Sequence, residues 1–435
     1  MNAAARSQSL LTLTSHVSMR LASIGIQSTM TLAIGWVCAP ADFGELVIIM
    51  AHASVGATLC AGGALQGALR IAHLVEPGSA WQGPVLRFLV RSALRRAVIG
   101  SALVAAALWF NPAVSAAGVT AGTLLTLGLT LSSACSGFTV ARGQAPISQA
   151  YDLFLRLPLQ GAGVAVLYAA DQLSGPRLAA AAAVAAAAHG GALLARLPLR
   201  ASPGRQVPRA MTVLLSRFIT SASANAVLFA LLCSLEVLLG SRFVSAEGIA
   251  PLGIAGRVAG ALAMLHGAVF DFHAASVARA LRSKQSTNVN QLVRRIAIEA
   301  TALTLTTMVA STAAMLMMPE VVPTTYLMAI VPLWILLAAR LVTGALGPAP
   351  ALLTLRGMHK QLATATCVGI LVETVCILLL AVDRGAIGLA IAAGAGICAY
   401  AAMARVSAAP ILGHHRRTKR RPDSESSCNE DRIRS

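Results

Sequence analysis

Charge is scarce in this chain. Asp, Glu, Lys and Arg make up 11% of its 435 residues and hydrophobic residues 57%, against about 25% and about 45 to 50% in soluble domains. Apolar runs that meet the ~20-residue length of a membrane helix recur along nearly the whole length, and no soluble domain of useful size remains between them. Aromatic residues reach only 4%, and acids number 16 against 34 Lys and Arg. That disfavours a site for flat cationic compounds, which needs rings or acids, and it leaves few rings on which sugars stack. The eight cysteines, Cys38, Cys60, Cys135, Cys233, Cys367, Cys376, Cys398 and Cys428, form no CxxC pair and no metal-ligand spacing with histidine. No metal site is expected, and the cysteines read as small packing hydrophobes. No GxxxxGK[ST], HExxH or nucleophile elbow occurs. The connections are too short for the extramembrane loop in which a membrane-bound glycosyltransferase or ligase holds its catalytic carboxylates or histidines. No catalytic residues are expected, and the chain does not read as an enzyme.

What is present is an all-α membrane protein of about twelve spans. The first six candidates are Leu13–Val37, Leu46–Leu69, Ala97–Phe110, Val114–Ala141, Ile147–Ala170 and Leu178–Leu197. A second six follow at Met211–Leu239, Ile249–Phe272, Ile296–Met318, Tyr326–Leu355, Leu362–Val382 and Ala386–Met403. The third is short, and its helix is expected to begin earlier, within VLRFLVRSALRR. The first run carries Arg20 and exceeds the ~7 to 15 uncharged residues of a signal h-region, so it reads as an uncleaved span.

Loop charge tests the count. Alternate connections hold Arg70, Arg87, Arg91, Arg95 and Arg96, then Arg142, then Arg196, Arg200, Arg205 and Arg209. The same side continues with Arg279, Arg282, Lys284, Arg294 and Arg295, then Arg356 and Lys360, then the tail HHRRTKRR. The other connections hold only Arg177, Arg242 and Arg384. Because cytoplasmic loops are the basic ones, both termini are expected in the cytoplasm. The net charge of +18 is then a topology signal, and no nucleic-acid partner is expected, since no recognition motif accompanies it.

The Pro-, Gly- and Arg-rich RLPLRASPGRQVPRAM divides the chain into halves, residues 1–200 and 211–413, joined by a cytoplasmic linker at 201–210. The polar, charged segment 414–435 reads as a disordered tail whose basic cluster can touch membrane lipids at about 1 kcal/mol per residue. The halves echo each other. Arg142-Gly143 precedes a span ending at Asp171, and Arg356-Gly357 precedes one ending at Asp383. Six spans per half make the repeat parallel, about an axis along the membrane normal, with a cavity between two bundles that rock to give alternating access.

Several stretches carry a family likeness. MRLASIGIQSTMTLAIGWVCAPADFGEL, with the P-x-x-F-G loop from Pro40 to Gly44, resembles the opening of polysaccharide-export flippases. APLGIAGRVAGALAMLHGAVFDFHAASVARAL is similar to their eighth span, and LTLRGMHKQLATATCVGILVETVCILLLAVDRGAIGLAIAAG to their tenth-to-twelfth region, with a G-x-x-G-x-A pattern from Gly385 to Ala390. Together they point to the polysaccharide and O-antigen branch of the multidrug, oligosaccharidyl-lipid and polysaccharide exporter superfamily. The resemblance implies a V-shaped, MATE-like pair of six-helix bundles in the bacterial inner membrane. Its implied cargo is an undecaprenyl-pyrophosphate-linked oligosaccharide, and its implied partners are a polysaccharide polymerase and glycosyltransferases. The tyrosine often found before the eighth-span arginine is missing, as is the extra helix pair of the fourteen-span branch, which favours an O-antigen or exopolysaccharide type over a lipid II flippase. A multidrug exporter of the same fold, a membrane glycan transferase or ligase, and a scaffold without transport are the competing readings.

Three arginines are candidate substrate-binding residues. Arg340 lies ~21 Å from the outer end of its span, Arg257 ~12 Å from the outer end of the eighth, and Arg20 ~10 Å from the cytoplasmic end of the first. A charge at midplane costs about 2.5 to 3.5 kcal/mol on insertion scales and usually faces a cavity, and guanidinium forks suit a pyrophosphate that must leave water. The resemblance also matches Arg257 to the family's eighth-span arginine. Against this, Glu236 is placed to pair with Arg257, as buried ions commonly do, and Arg20 is near enough to the interface to snorkel. Arg340 has no acid on its own span, and Pro332, Pro348 and Pro350 flank it as kinks or helix ends. Glu373, Glu299 and Asp271 are candidates for proton or sodium coupling, Glu373 being deepest; an interhelical hydrogen bond is its alternative. Asp152 and Arg156 sit at the i, i+4 spacing of a structural pair. His52, His189 and His266 read as packing residues, and no cofactor is expected.

Overall fold

The computed structural model describes residues 3–70, 79, 81–142, 144–199, 207, 209–282, 286–317 and 324–418, and every regular element among them is helical. The first half comprises Ala3–Val37, Pro40–Arg70, Gln82–Trp109, Ala116–Ala141, a fifth span in three pieces, and Gly175–Arg196. The fifth runs Ala145–Tyr151, then a π-helical turn Asp152–Arg156, then Leu157–Ala169. In the second half the seventh span is Arg209–Leu232 with a short continuation Leu235–Gly240, followed by Ala246–Arg282 and Ser286–Met317. The tenth is Thr324–Leu346 continued by Ala349–Leu355, and the last two spans run from His359 to Thr418. Eight described helices are long and apolar enough to cross a membrane, and one of them, His359–Leu412, has 54 residues and accommodates two passes. The third helix does begin early, at Gln82.

Two boundaries differ from expectation. Arg209 and Ala210 belong to the seventh helix rather than to the linker, and the last helix continues through His414 to Thr418. Residues 201–206, 208 and 419–435 lie outside the described set.

The turns show why the two halves read alike. After the fourth span the Gln144 amide donates to the Thr139 carbonyl at 3.1 Å; after the tenth, the Met358 amide donates to Leu353 at 2.9 Å. Both are the six-to-one closure of a Schellman motif, and Gly357 supplies the left-handed residue at φ 69°. The fifth span ends the same way through Asp171 at φ 51°, with Gln172 donating to Leu167 at 2.9 Å. Between the eleventh and twelfth spans Gly385 takes φ 51°, ψ −130°. A Cβ on Gly388 would stand 2.3 Å from the Leu380 carbonyl oxygen. Both glycines of the G-x-x-G pattern are therefore required by the hairpin: one for its dihedrals, the other for clearance.

Small residues bring the spans together, as expected where lipid offers no hydrophobic drive between helices. The alanine-rich sixth span lies along the fourth: a Cβ on Gly128 would meet the Ala183 carbonyl at 2.8 Å, and one on Gly190 would meet Leu131 and Ser132 at 2.7 Å. The second span crosses to the other half and packs on the seventh and eighth. At the arginine-poor face the halves are joined directly. Asn111 Nδ2 donates to Ser241 Oγ at 2.8 Å, Arg242 donates to the carbonyl of Phe110, and the Tyr326 hydroxyl donates to the carbonyl of Leu32. Trp36 meets Tyr326 edge-on at 5.4 Å between centroids. Gly44 sits so close to Ala246 that any side chain there would collide with the backbone, its nearest atom at 1.7 Å.

Candidate functional site

Below that seal lies a cavity of about 300 Å³ between the halves. Gln27 and Thr31 reach it from the first span, Met50 and Ser54 from the second, Cys233 to Glu236 from the seventh, and Gly253 to Met264 from the eighth. The eighth span makes room by its glycines: a Cβ on Gly256 or Gly260 would meet nothing within 4 Å. Arg257 stands on this face. Neighbouring helices surround it, yet it keeps accessible surface because it faces the cavity. Among the described residues no carboxylate lies within ion-pair distance of it. The expected alternative pair with Glu236 is not formed, although both residues line the same cavity.

Glu236 instead faces Glu373 of the eleventh span, with Arg340 of the tenth within electrostatic reach. Arg340 is surrounded by Cys233 and Glu236 of the seventh span, Cys398 of the twelfth and His266 of the eighth, and does not line the cavity. Its own span carries no acid, but neighbouring helices bring them. Glu373 is fully buried, and neither of its oxygens meets hydrogen-bond geometry. It presses on the twelfth span, where a Cβ on Gly396 would stand 2.9 Å from its Oε2.

The remaining candidates are placed as follows. Glu299 is not a deep, free carboxylate: it accepts from Arg295 at 2.8 Å and lies 3.0 Å from His273 Nε2, near the arginine-rich end of the ninth helix and more than a third exposed. The i, i+4 spacing to Arg295 accounts for the pair. Arg20 and Asp271 lie on the first and eighth helices, with their side chains outside the described residues. Asp152 and Arg156 pair at 2.6 Å across the π-helical turn, and Ser23 donates to Asp152, tying the first span to the fifth. The histidines are packing residues: His52 Nδ1 is 2.9 Å from the Ile48 carbonyl, His189 2.7 Å from Ser132, and His266 3.0 Å from Thr304. Among the described residues no group of three His, Cys, Asp or Glu gathers to hold a metal. In the turn after the first span, burial and then the charge of Asp42 push the Cys38 thiol up to about 11, so it is no reactive thiolate.

No family model matches the chain, and no curated protein matches its sequence. Solved structures do. It is similar to a multidrug resistance MATE family transporter of the MOP superfamily in an inward-facing conformation, with TM-score 0.69 and 12% identity over 93% of this chain and 99% of that one. It is similar to the lipid II flippase MurJ in an inward closed conformation, with TM-score 0.62 and 11% identity over 92% and 86%. An outward-facing MATE family transporter gives TM-score 0.55 and 12% identity over 93% and 96%. The chain thus has the two-bundle MATE-like fold. These likenesses do not separate the polysaccharide branch from its relatives.

Proposed function

We propose that the protein is a flippase that carries an undecaprenyl-pyrophosphate-linked oligosaccharide, an O-antigen or exopolysaccharide unit, across the bacterial inner membrane, with both termini in the cytoplasm. The observation that carries this reading is Arg257, a guanidinium without a carboxylate partner facing a cavity between the halves. An anion leaving water for that cavity loses hydration, and a fixed fork of donors replaces it without reorganising. Arg20, early in the first span, is the second cation proposed for the path. The halves 1–200 and 211–413 rock against each other to expose Arg257 first to one side and then to the other.

Coupling belongs to the group behind the cavity wall. Two carboxyls, Glu236 and Glu373, against one guanidinium, Arg340, leave one negative charge, which a proton or sodium ion entering from the cavity would balance. Arg340 in this reading acts on cargo through Glu236, which lines the cavity. Membrane lipids, a polysaccharide polymerase and glycosyltransferases are the partners such a cargo requires.

The test replaces Arg257 by Ala and by Lys and measures surface polysaccharide at matched membrane levels of protein. Export should fall at least about tenfold for Arg257→Ala, the loss of one charge-assisted contact, and recover in part for Arg257→Lys. Wild-type export by Arg257→Ala would overturn the reading. A second reading, export of an organic cation, is favoured by Glu236 in the same cavity. Under it, Glu236→Gln and not Arg257→Ala would raise sensitivity to cationic compounds.

A further inference from the structure

A second cavity, of about 630 Å³, opens toward the arginine-rich face between the third span and the start of the seventh. Arg87, Arg91 and Arg95 line it from successive turns of the third helix, with Arg96 beside them, and Val207, Thr212 and Ser216 form the wall contributed by the other half. Arg96 donates to the carbonyl of Ser92 at 3.2 Å. Among the described residues, Arg87, Arg91 and Arg95 have no carboxylate partner.

Orientation in the membrane needs basic residues at this end but does not need them on one face. Here Pro84, Arg87, Phe88, Arg91, Ser92 and Arg95 share the face toward the cavity, while Leu94, Val98 and Ile99 are exposed elsewhere on the helix. Like charges at i, i+4 repel, and among the described residues no acid pairs with these arginines. Depth adds a second constraint. Counting back ~20 residues from Trp109 puts the hydrocarbon boundary near Val90, so Arg87 and Arg91 are at headgroup level and Arg95 is about one turn deeper. Adjacent guanidiniums one turn apart, ~5.4 Å along the axis, are spaced to hold the two phosphoryl groups of one diphosphate. A soluble anion would gain nothing from the deeper arginine; the phosphates of a lipid, drawn toward its own tail, would.

We propose that this stripe is a docking site for the diphosphate of an isoprenoid-linked lipid, separate from Arg257, at the mouth through which cargo reaches the central cavity. The class of lipid rests on the proposed function; the anion site rests on the stripe alone.

The test uses the full chain in phosphatidylcholine nanodiscs and radiolabelled farnesyl diphosphate as the probe, with empty nanodiscs subtracted. Saturable binding should weaken at least about tenfold in the Arg87→Gln, Arg91→Gln, Arg95→Gln triple variant, which removes the charge-assisted contacts. Arg356→Gln, an exposed arginine of the same face that does not line this cavity, should leave that binding in place. Inorganic pyrophosphate should compete poorly, and phosphatidylglycerol in the nanodisc should displace the probe only in part. Wild-type binding by the triple variant overturns the site. Equal competition by inorganic pyrophosphate or full displacement by phosphatidylglycerol overturns the lipid diphosphate as its ligand. If the triple variant does not fold, Arg91→Gln against Arg91→Lys gives the same contrast, with loss in the first and retention in the second expected. Binding is read without transport, so normal glycan export by Arg257→Ala would remove the proposed function while leaving the docking result standing.

Discussion

Arg257 and Arg340 occupy neighbouring spans of the same half, each a single cation in an apolar helix, and the fold treats them differently. Arg257 faces the gap toward the other half, with no carboxylate among the described residues within ion-pair distance. Arg340 is turned away from that gap, among the seventh, eighth and twelfth spans, with Glu236 close by and Glu373 beyond it. One cation is available to a visitor. The other lies within electrostatic reach of buried acids, with no ion pair to them among the described residues. A membrane helix carries a charge at its middle for either purpose, and what decides is the residue on the helix opposite.

That contrast can be broken most directly by stability. Arg340→Met should destabilise the protein by about 1 to 3 kcal/mol in denaturation of the detergent-solubilised protein, because it removes the cation within electrostatic reach of Glu236. Arg257→Met should change stability by less than about 1 kcal/mol, since no pair is lost. Equal losses would mean that the two arginines do the same job. A cycle then sharpens the point: adding Glu236→Gln to Arg340→Met should recover part of the loss, with a coupling of about 0.5 to 3 kcal/mol. No coupling would remove Glu236 as the partner. Smaller still is the join that closes the gap above Arg257. Asn111→Ala and Ser241→Ala should each destabilise by about 0.5 to 1.5 kcal/mol and be non-additive. Either should also raise labelling of cavity-lining Cys233 by an impermeant maleimide applied from the arginine-poor side, in a Cys367→Ser background.

Much of the fold is legible in the sequence because its determinants are local. Apolar length sets the spans, Arg142 and Arg356 before glycine mark helix ends that close alike, and Gly385 with Gly388 marks the last hairpin. The site is legible where it is also local: Arg257 stands out in the sequence as a cation inside an apolar run. Arg340 is different, since its nearest acid is far away in sequence, on another helix, and only packing brings them together. The third-span arginines are visible in the sequence as charge but not as a face, because how many of them share a helix depends on where it starts, and the start at Gln82 precedes VLRFLVRSALRR altogether. Glu299 shows the converse: its partner Arg295 is four residues away, at a spacing the sequence alone displays.

The join at the arginine-poor end has a consequence for switching. Asn111 with Ser241, Arg242 with Phe110 and Tyr326 with Leu32 are few contacts, each worth about 0.5 to 1.5 kcal/mol net, or up to about 3 where a charge is involved. Their sum is of the order of the 5.5 kcal/mol that separates a state populated one part in a hundred from its mirror image. If the halves rock as proposed, a visitor that favours the opposite opening by that margin is enough to reverse which side of the membrane the molecule faces, with no chemical step required.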